Sequence, residues 1–123
     1  MEPLQTGTEW LIDATGCDPI KIGDIEVLKK LFAAVVHDLH LQQAGEAQWK
    51  KFPPPGGVTG LMMLRESHLS CHSFPEHGFA ALNLYCCKPR EPWPWDLKLS
   101  HLIGAKKVSV RQAVRGPAPA APA

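Results

Sequence analysis

The sequence predicts an α+β fold, a two-layer sandwich in which an antiparallel or mixed sheet carries two helices on one face. Segments whose apolar residues alternate with polar ones outnumber segments with helical spacing. The two helical segments are both amphipathic, so each needs an apolar surface to cover. One face of a sheet can bury both helices, which leaves the other face free.

The first half of the chain predicts a strand, a long helix and a short strand. Trp10 and Ile12 alternate with other residues over 8–15, and a turn at 16–19 ends this strand. Helical spacing over 24–41, with Asp24 as the N-cap, predicts the first helix. A short strand over 48–52 leads into a loop at 53–57, where three successive prolines cannot donate to a ladder.

The second half predicts two apolar strands, a second helix and a last strand. The strands are expected over 58–65 and 78–87, with a connection over 66–77 between them. Leu97, Leu99 and Leu102 indicate an amphipathic helix over 93–103, which Gly104 ends. Alternation over 106–115 predicts the last strand. Residues 1–116 are expected to form a single domain, and the Pro/Ala tail over 117–123 is expected to be disordered.

Charge and composition exclude several classes of protein. The 123 residues include 13 basic and 12 acidic side chains, a net charge of +1, and no basic stripe alternates with aromatics. We therefore expect no nucleic-acid partner. No apolar stretch approaches the roughly 20 residues that span a bilayer, and no signal peptide is apparent, so we expect a cytoplasmic protein without a membrane partner. The four cysteines are then expected to be free thiols.

Reactive side chains are concentrated between residues 66 and 87. Ser67 supplies a hydroxyl, His72 an imidazole and Glu76 a carboxylate, and the thiol of Cys87 follows an apolar stretch. A nucleophile, a base and an acid within so short a segment indicate chemistry rather than a plain turn.

The same residues resemble the prokaryotic S-adenosylmethionine decarboxylase proenzymes. The resemblance rests on Glu66-Ser67, on His72 five residues later, on a Pro-Glu pair at 75–76 and on Cys87. Three further motifs lie in the order of that family. They are Gly-Cys-Asp at 16–18, Phe52 followed by Gly-Val-Thr-Gly at 57–60, and Arg-Gly at 115–116.

The resemblance implies a self-processing enzyme with a pyruvoyl cofactor. Ser67 would attack the Glu66 carbonyl, helped by the Thr59 hydroxyl, and His72 would then remove the Ser67 α-proton. Elimination and hydrolysis would leave a covalent pyruvoyl group at residue 67, a β chain of 1–66 and an α chain of 67–123. The ketone would form a Schiff base with the substrate and accept its electrons as carbon dioxide leaves. Cys87 would return the proton, and the product would be the aminopropyl donor for spermidine.

The resemblance also implies the substrate contacts and the assembly. S-adenosylmethionine would bind with its ribose against Glu76 and its adenine against Phe52 and Phe74, and Leu69 would belong to the same substrate-binding set. Two αβ units would form a homodimer. No metal is expected.

Several departures from the family pattern keep other functions open. Phe74 replaces a usual tryptophan, Asn83 an aspartate and Lys88 a glycine, and the loop after Phe52 is one residue longer. A related pyruvoyl-dependent arginine or ornithine decarboxylase and a non-processing regulatory paralogue are the alternatives. A metal-binding module is a third, although the spacing of its ligand types does not form zinc knuckles. Those ligand types are His68, Cys71, His72, His77, Cys86 and Cys87.

Overall fold

A computed structural model describes residues 6–117 and shows a six-stranded antiparallel sheet with helices on one face. The elements in chain order are β1 (Gly7–Thr15), α1 (Pro19–Ile22), α2 (Ile25–Asp38), β2 (Gln48–Lys51), β3 (Val58–Leu64), β4 (Ser67–Phe74), a 3-10 turn (Pro75–His77), β5 (Phe79–Cys86), α3 (Trp95–Ile103) and β6 (Lys107–Arg115). Across the sheet the order is β2-β3-β4-β5-β1-β6. The predicted α+β class is confirmed.

The core lies between the sheet and the helices because each element has one apolar side. Every second residue of the central strands points into this core, as the period of a strand requires. The strand residues buried there include Trp10, Ile12, Leu64, Leu69, Cys71, Leu82 and Leu84. The helices contribute Leu28, Leu31, Phe32 and Val35 from α2 and Trp95, Leu99 and Ile103 from α3. Burying each large side chain stabilises the fold by about 1.5 to 3 kcal/mol.

The ends of the helices follow local capping chemistry. Asp24 caps α2 as predicted, since its carboxylate accepts a hydrogen bond from the Glu26 amide at 2.9 Å. The helix ends at Asp38, three residues earlier than predicted, and His40 then adopts a left-handed φ of 55°. Asp18 caps the single turn of α1, where only a turn was expected. Gly104 ends α3 with a φ of 68°, as predicted.

The segment between the two predicted apolar strands is itself a strand, which corrects the sequence-based interpretation. Residues 66–77 were expected to connect two strands, but Ser67–Phe74 forms β4, which pairs with both β3 and β5. Leu69, Cys71 and Ser73 face the core at every second position. Only two of these three residues are apolar, so the alternation was obscured by the histidines and serines between them.

The other side of the sheet, here called the open face, carries no helix in the part of the chain that the structure describes. Its side chains alternate with those of the core along every strand. Large apolar residues are exposed on it: Leu61 by 49%, Met63 by 68% and Phe74 by 42%. Polar residues of β1, β4, β5 and β6 occupy the rest of the open face.

The chain ends lie largely outside the described residues. The tail expected to be disordered, 117–123, lies outside the described residues except for Pro117, as do residues 1–5. Within 6–117, no helix has both the length and the apolar character needed to cross a membrane.

Candidate active site

The hairpin between β3 and β4 holds Ser67 at the first position of β4. Leu64 pairs with Ser67 in the ladder, so Arg65 and Glu66 alone form the turn. Glu66 has a φ of 60°, in the left-handed region where a Cβ crowds the following carbonyl oxygen. That conformation costs roughly 1 to 2 kcal/mol for a residue with a side chain. The backbone is therefore strained immediately before the Glu66–Ser67 bond.

Glu66, Ser67 and Cys87 contact one another at this hairpin and are called the Ser67 cluster. The Ser67 hydroxyl oxygen accepts a hydrogen bond from the Cys87 amide at 3.2 Å. The Cys87 thiol donates to the Glu66 carboxylate at 3.4 Å. Cys87 follows directly after β5, the strand that pairs with β4, so strand register brings together groups twenty residues apart. A hydroxyl that accepts a hydrogen bond loses its proton more easily, because the bond stabilises the developing anion.

Two cavities adjoin the Ser67 cluster. The open-face cavity has a volume of about 600 Å³ and is lined by Thr6, Glu9, Glu66, Ser67, His68, Tyr85, Arg115, Gly116 and Pro117. The hairpin cavity has a volume of about 340 Å³ and is lined by His40, Leu41, Gln42, Leu64, Arg65, Glu66, Ser67, Cys87, Lys88 and Arg90. Both contain Glu66 and Ser67, so the strained bond borders open space on two sides.

A second group of site residues predicted from the sequence lies at the opposite end of the β3–β4 pair. Thr59 is directly opposite His72, and the Thr59 hydroxyl lies 3.1 Å from Nδ1 of His72 on the open face. Phe74 packs against Phe79, with 5.9 Å between ring centroids. The exposed Glu76 follows in the 3-10 turn.

Phe52 joins this second group because β2 ends where β3 begins. Its amide donates to the Gly57 carbonyl at 2.9 Å, and its ring is 46% exposed. Together with Thr59, His72, Phe74 and Glu76 it is called the His72 cluster. The cluster contains an imidazole, a hydroxyl, a carboxylate and aromatic surface, but no residue of the Ser67 cluster.

The two clusters cannot meet within one chain. Ser67 and His72 are five residues apart on one strand, a separation of about 16 Å at roughly 3.3 Å per residue. An odd spacing also directs the two side chains toward opposite faces of the sheet. A general base must approach the proton it removes to about 3 Å. His72 therefore lies out of reach of the serine that precedes it on the same strand.

The side chain of Leu69 does not belong to either cluster, and its place in the substrate-binding set stays a prediction. Its side chain is fully buried, at 0% exposure, in the core between the sheet and the helices. Its backbone pairs with Met62 on one side and Leu84 on the other.

A polar network on the open face was not predicted from the sequence. Asn83 donates to Glu9 at 2.7 Å, and Arg115 donates to the other oxygen of the same carboxylate at 2.7 Å. The Asn83 amide and then the Arg115 guanidinium hold the pKa of Glu9 below its ordinary value. His68, 3.2 Å from the Asn83 oxygen, completes the network beside Ser67. Its members lie on four strands, so sequence spacing gives no sign of them.

The remaining thiols are structural. All four cysteines are free, and burial raises the pKa of the Cys71 thiol to about 12 and those of Cys17 and Cys86 to about 11. Cys71 faces the core whereas His72 lies on the open face, so the sheet separates two of the ligand types in the metal-binding alternative. Over 6–117, no three histidine, cysteine or acidic side chains are grouped closely enough to hold a metal ion.

Comparison with known proteins shows the family of this chain. The model of the family described as S-adenosylmethionine decarboxylase matches residues 8–116. The chain belongs to the S-adenosylmethionine decarboxylase family. An S-adenosylmethionine decarboxylase proenzyme of Anoxybacillus flavithermus is 33% identical over 116 residues, which cover 92% of this chain and 90% of that protein.

Archaeal and structural relatives extend the comparison. An S-adenosylmethionine decarboxylase proenzyme of Pyrococcus abyssi is 36% identical over 81 residues, covering 66% of this chain and 57% of that protein. The crystal structure of the adenosylmethionine decarboxylase from Aquifex aeolicus superposes with a TM-score of 0.76 at 25% identity, covering 97% of this chain and 98% of that one. The sequence-based assignment to this family is thus confirmed.

Proposed function

We propose that this chain is a proenzyme that cleaves itself between Glu66 and Ser67 and then decarboxylates S-adenosylmethionine. The observation that carries the proposal is the Ser67 cluster, in which a serine hydroxyl lies at a strained two-residue turn next to a thiol and a carboxylate. Family membership supports the same reaction. Residues 1–66 become the β chain and 67–123 the α chain.

Self-processing uses the strain at Glu66 and the hydroxyl of Ser67. Attack of Oγ on the Glu66 carbonyl turns the amide into an ester and relieves the left-handed backbone of Glu66. Thr59 supports this shift, and His72 removes the Ser67 α-proton. The hydrogen bond between the Thr59 hydroxyl and Nδ1 of His72 keeps the imidazole oriented and its other nitrogen free.

The pyruvoyl group formed at residue 67 acts as the electron sink of decarboxylation. The Ser67 cluster suits such a group because open space adjoins residue 67 on both sides and Cys87 contacts it. Cys87 supplies the proton that replaces the lost carboxylate. The other three cysteines are buried, whereas Cys87 is only partly buried. Of the four, Cys87 is also the one that lines a cavity at Ser67.

Two chains are needed to assemble one site, and we propose a homodimer of αβ units that pack open face to open face. A two-fold axis that runs across β4 reverses the strand of the second copy. The hairpin of one chain, where the open-face cavity reaches Glu66 and Ser67, then lies near the His72 cluster of the other. The same packing covers Leu61, Met63 and Phe74, whose exposure leaves an apolar surface on the open face.

Substrate recognition follows from the His72 cluster. Phe52 and Phe74 offer aromatic surface to the adenine ring, where each stacked pair contributes about 0.5 to 1.5 kcal/mol beyond burial. Glu76 accepts hydrogen bonds from the ribose hydroxyls. The product serves as the aminopropyl donor in spermidine synthesis, and we place the enzyme in the cytoplasm.

Intact mass and carbon dioxide release test the proposal. The purified chain is expected to appear as two fragments split after residue 66, and to release carbon dioxide from S-adenosylmethionine but not from arginine or ornithine. Ser67→Ala is the matched control and should stay full length and inert. A wild-type chain that remains intact would favour a non-processing paralogue. If the chain releases carbon dioxide from arginine or ornithine instead, the proposed substrate is wrong but the proposed pyruvoyl cofactor still stands.

A further inference from the structure

The hairpin cavity, which borders Ser67, is lined by more positive than negative side chains. Arg65, Lys88 and Arg90 line it, and among the described residues that surround it Glu66 is the one acid. Three formal positive charges therefore stand against one carboxylate. Lys88 replaces the glycine usual after the family's cysteine, so this charge belongs to the present chain and is not implied by the resemblance.

Arg90 lines this cavity and has an unused donor. Its Nε atom is buried and has no hydrogen-bond partner within residues 6–117. On its other side Arg90 borders a cavity that also contains Asp38 and Glu91, yet within that described range no carboxylate lies in salt-bridge distance of its guanidinium. A buried donor without an acceptor is costly, and such a group in a native fold calls for an explanation.

We propose that Arg90, together with Lys88, stabilises the new C-terminal α-carboxylate of residue 66 as it leaves residue 67 during self-processing. This inference rests on the proposed function and deepens it, because it adds an electrostatic role to residues beside the scissile bond. This α-carboxylate, unlike the Glu66 side-chain carboxylate, does not exist in the uncut chain. It forms at residue 66, which lines the same cavity as Arg90 and Lys88.

During the elimination step, the new negative charge forms on Oγ of Ser67. After the acyl shift, the Glu66 carbonyl carbon is bonded to this oxygen as an ester. The base takes the α-proton of residue 67, the electrons of that bond form a Cα=Cβ double bond, and the Cβ–Oγ bond breaks with both its electrons on Oγ. Glu66 leaves as a carboxylate that carries this oxygen. The enamine at residue 67 then tautomerises to an imine, and water hydrolyses this imine to the ketone with loss of ammonia.

A fixed cation accelerates this step because the charge on Oγ is larger in the transition state than in the ester. An interaction that grows toward the transition state lowers the barrier, whereas one equally strong in both states does not. Arg90 is half-buried and lines the cavity before the charge forms, so less solvent reorganisation accompanies the change. Its planar donors also match the geometry of a carboxylate.

The test compares Arg90→Gln with wild type in the full-length chain, followed over time by intact mass with and without hydroxylamine. Hydroxylamine cuts the ester but not the amide precursor, so the two readings separate the acyl shift from the elimination. Arg90→Gln is expected to form the ester at the wild-type rate and to convert it to cleaved chains about 10- to 100-fold more slowly. Lys30→Gln, which removes an exposed charge from α2, is the matched control and should process normally.

A further variant keeps the test decisive if Arg90→Gln does not fold. Lys88→Gly restores the usual family residue and should also accumulate ester. An Arg90→Gln chain that folds, as judged by its melting curve, and splits as fast as wild type would overturn the proposal while self-processing stands. Failure of the acyl shift itself in this variant would also overturn it, since the loss would precede the leaving group. A wild-type chain that forms neither ester nor fragments would reject both this role and the proposed function.

Discussion

Co-expression of two inactive variants tests whether each site is shared between chains. Ser67→Ala lacks the nucleophile and His72→Ala lacks the base, so each variant alone should fail to form the pyruvoyl group. In a mixed dimer, the hairpin of the His72→Ala chain lies near the intact His72 of its partner. One site of the two is then complete, and the His72→Ala chain is expected to split.

The fraction of His72→Ala chains that split follows from the distance between Ser67 and His72 within one chain and from random pairing of the two variants. Ser67 and His72 lie about 16 Å apart on β4, roughly five times the reach of a general base. Cleavage in trans is therefore expected to be the only route. With equal expression and random pairing, about half of the His72→Ala chains enter mixed dimers, so about half should split. His72 is exposed in the single chain, so its loss is not expected to unfold the protein.

Two affinity tags of different mass make the assay quantitative. Mass spectrometry of the purified mixture should show α and β fragments from the His72→Ala chain, and a Ser67→Ala chain of full length. Mixed dimers that contain both tags but no fragments, beside a wild type that splits, would refute the shared site. Cleavage of His72→Ala expressed alone would refute the role of His72 as the base.

Three further results are expected. Cys87→Ala should split normally but lose about 10²- to 10⁴-fold of its decarboxylation rate, the usual contribution of a positioned acid, and near wild-type turnover would make Cys87 a packing residue. Glu76→Gln should weaken use of S-adenosylmethionine by about 1 to 3 kcal/mol without blocking pyruvoyl formation, and an unchanged KM would remove Glu76 from the substrate site. Folding lowers the pKa of Glu9, chiefly through its hydrogen bond from Asn83, so Glu9 stabilises the fold above its ordinary pKa and this contribution is lost as pH falls through the folded value. Glu9→Gln should flatten the rise of Tm as pH increases toward the ordinary glutamate pKa of 4.5, and a profile as steep as wild type would contradict the linkage.

The interpretation of 66–77 shows where periodicity stops being informative. Strands such as β1 and β5 have apolar residues at alternate positions, and the sequence predicted both to within a residue or two. β4 has only Leu69 and Cys71 as apolar residues on its core side, where Ser73 is polar, and most of its open-face positions are also polar. A strand whose exposed residues carry the chemistry looks like a loop, since residue type there reflects function rather than burial.

The order of motifs along the chain was enough to identify the family and to name Ser67, His72 and Cys87. Local periodicity and capping were enough for α2, α3 and most strands, because these signals arise between residues a few positions apart. Tertiary structure alone decided which side chains meet. Strand register brought the Cys87 amide to Ser67, buried Leu69, and carried His72 beyond the reach of the serine. It also placed Arg90, whose buried Nε has no partner among the described residues, in the lining of the hairpin cavity. These outcomes depend on pairing between strands distant in sequence, and a local pattern carries no record of that register.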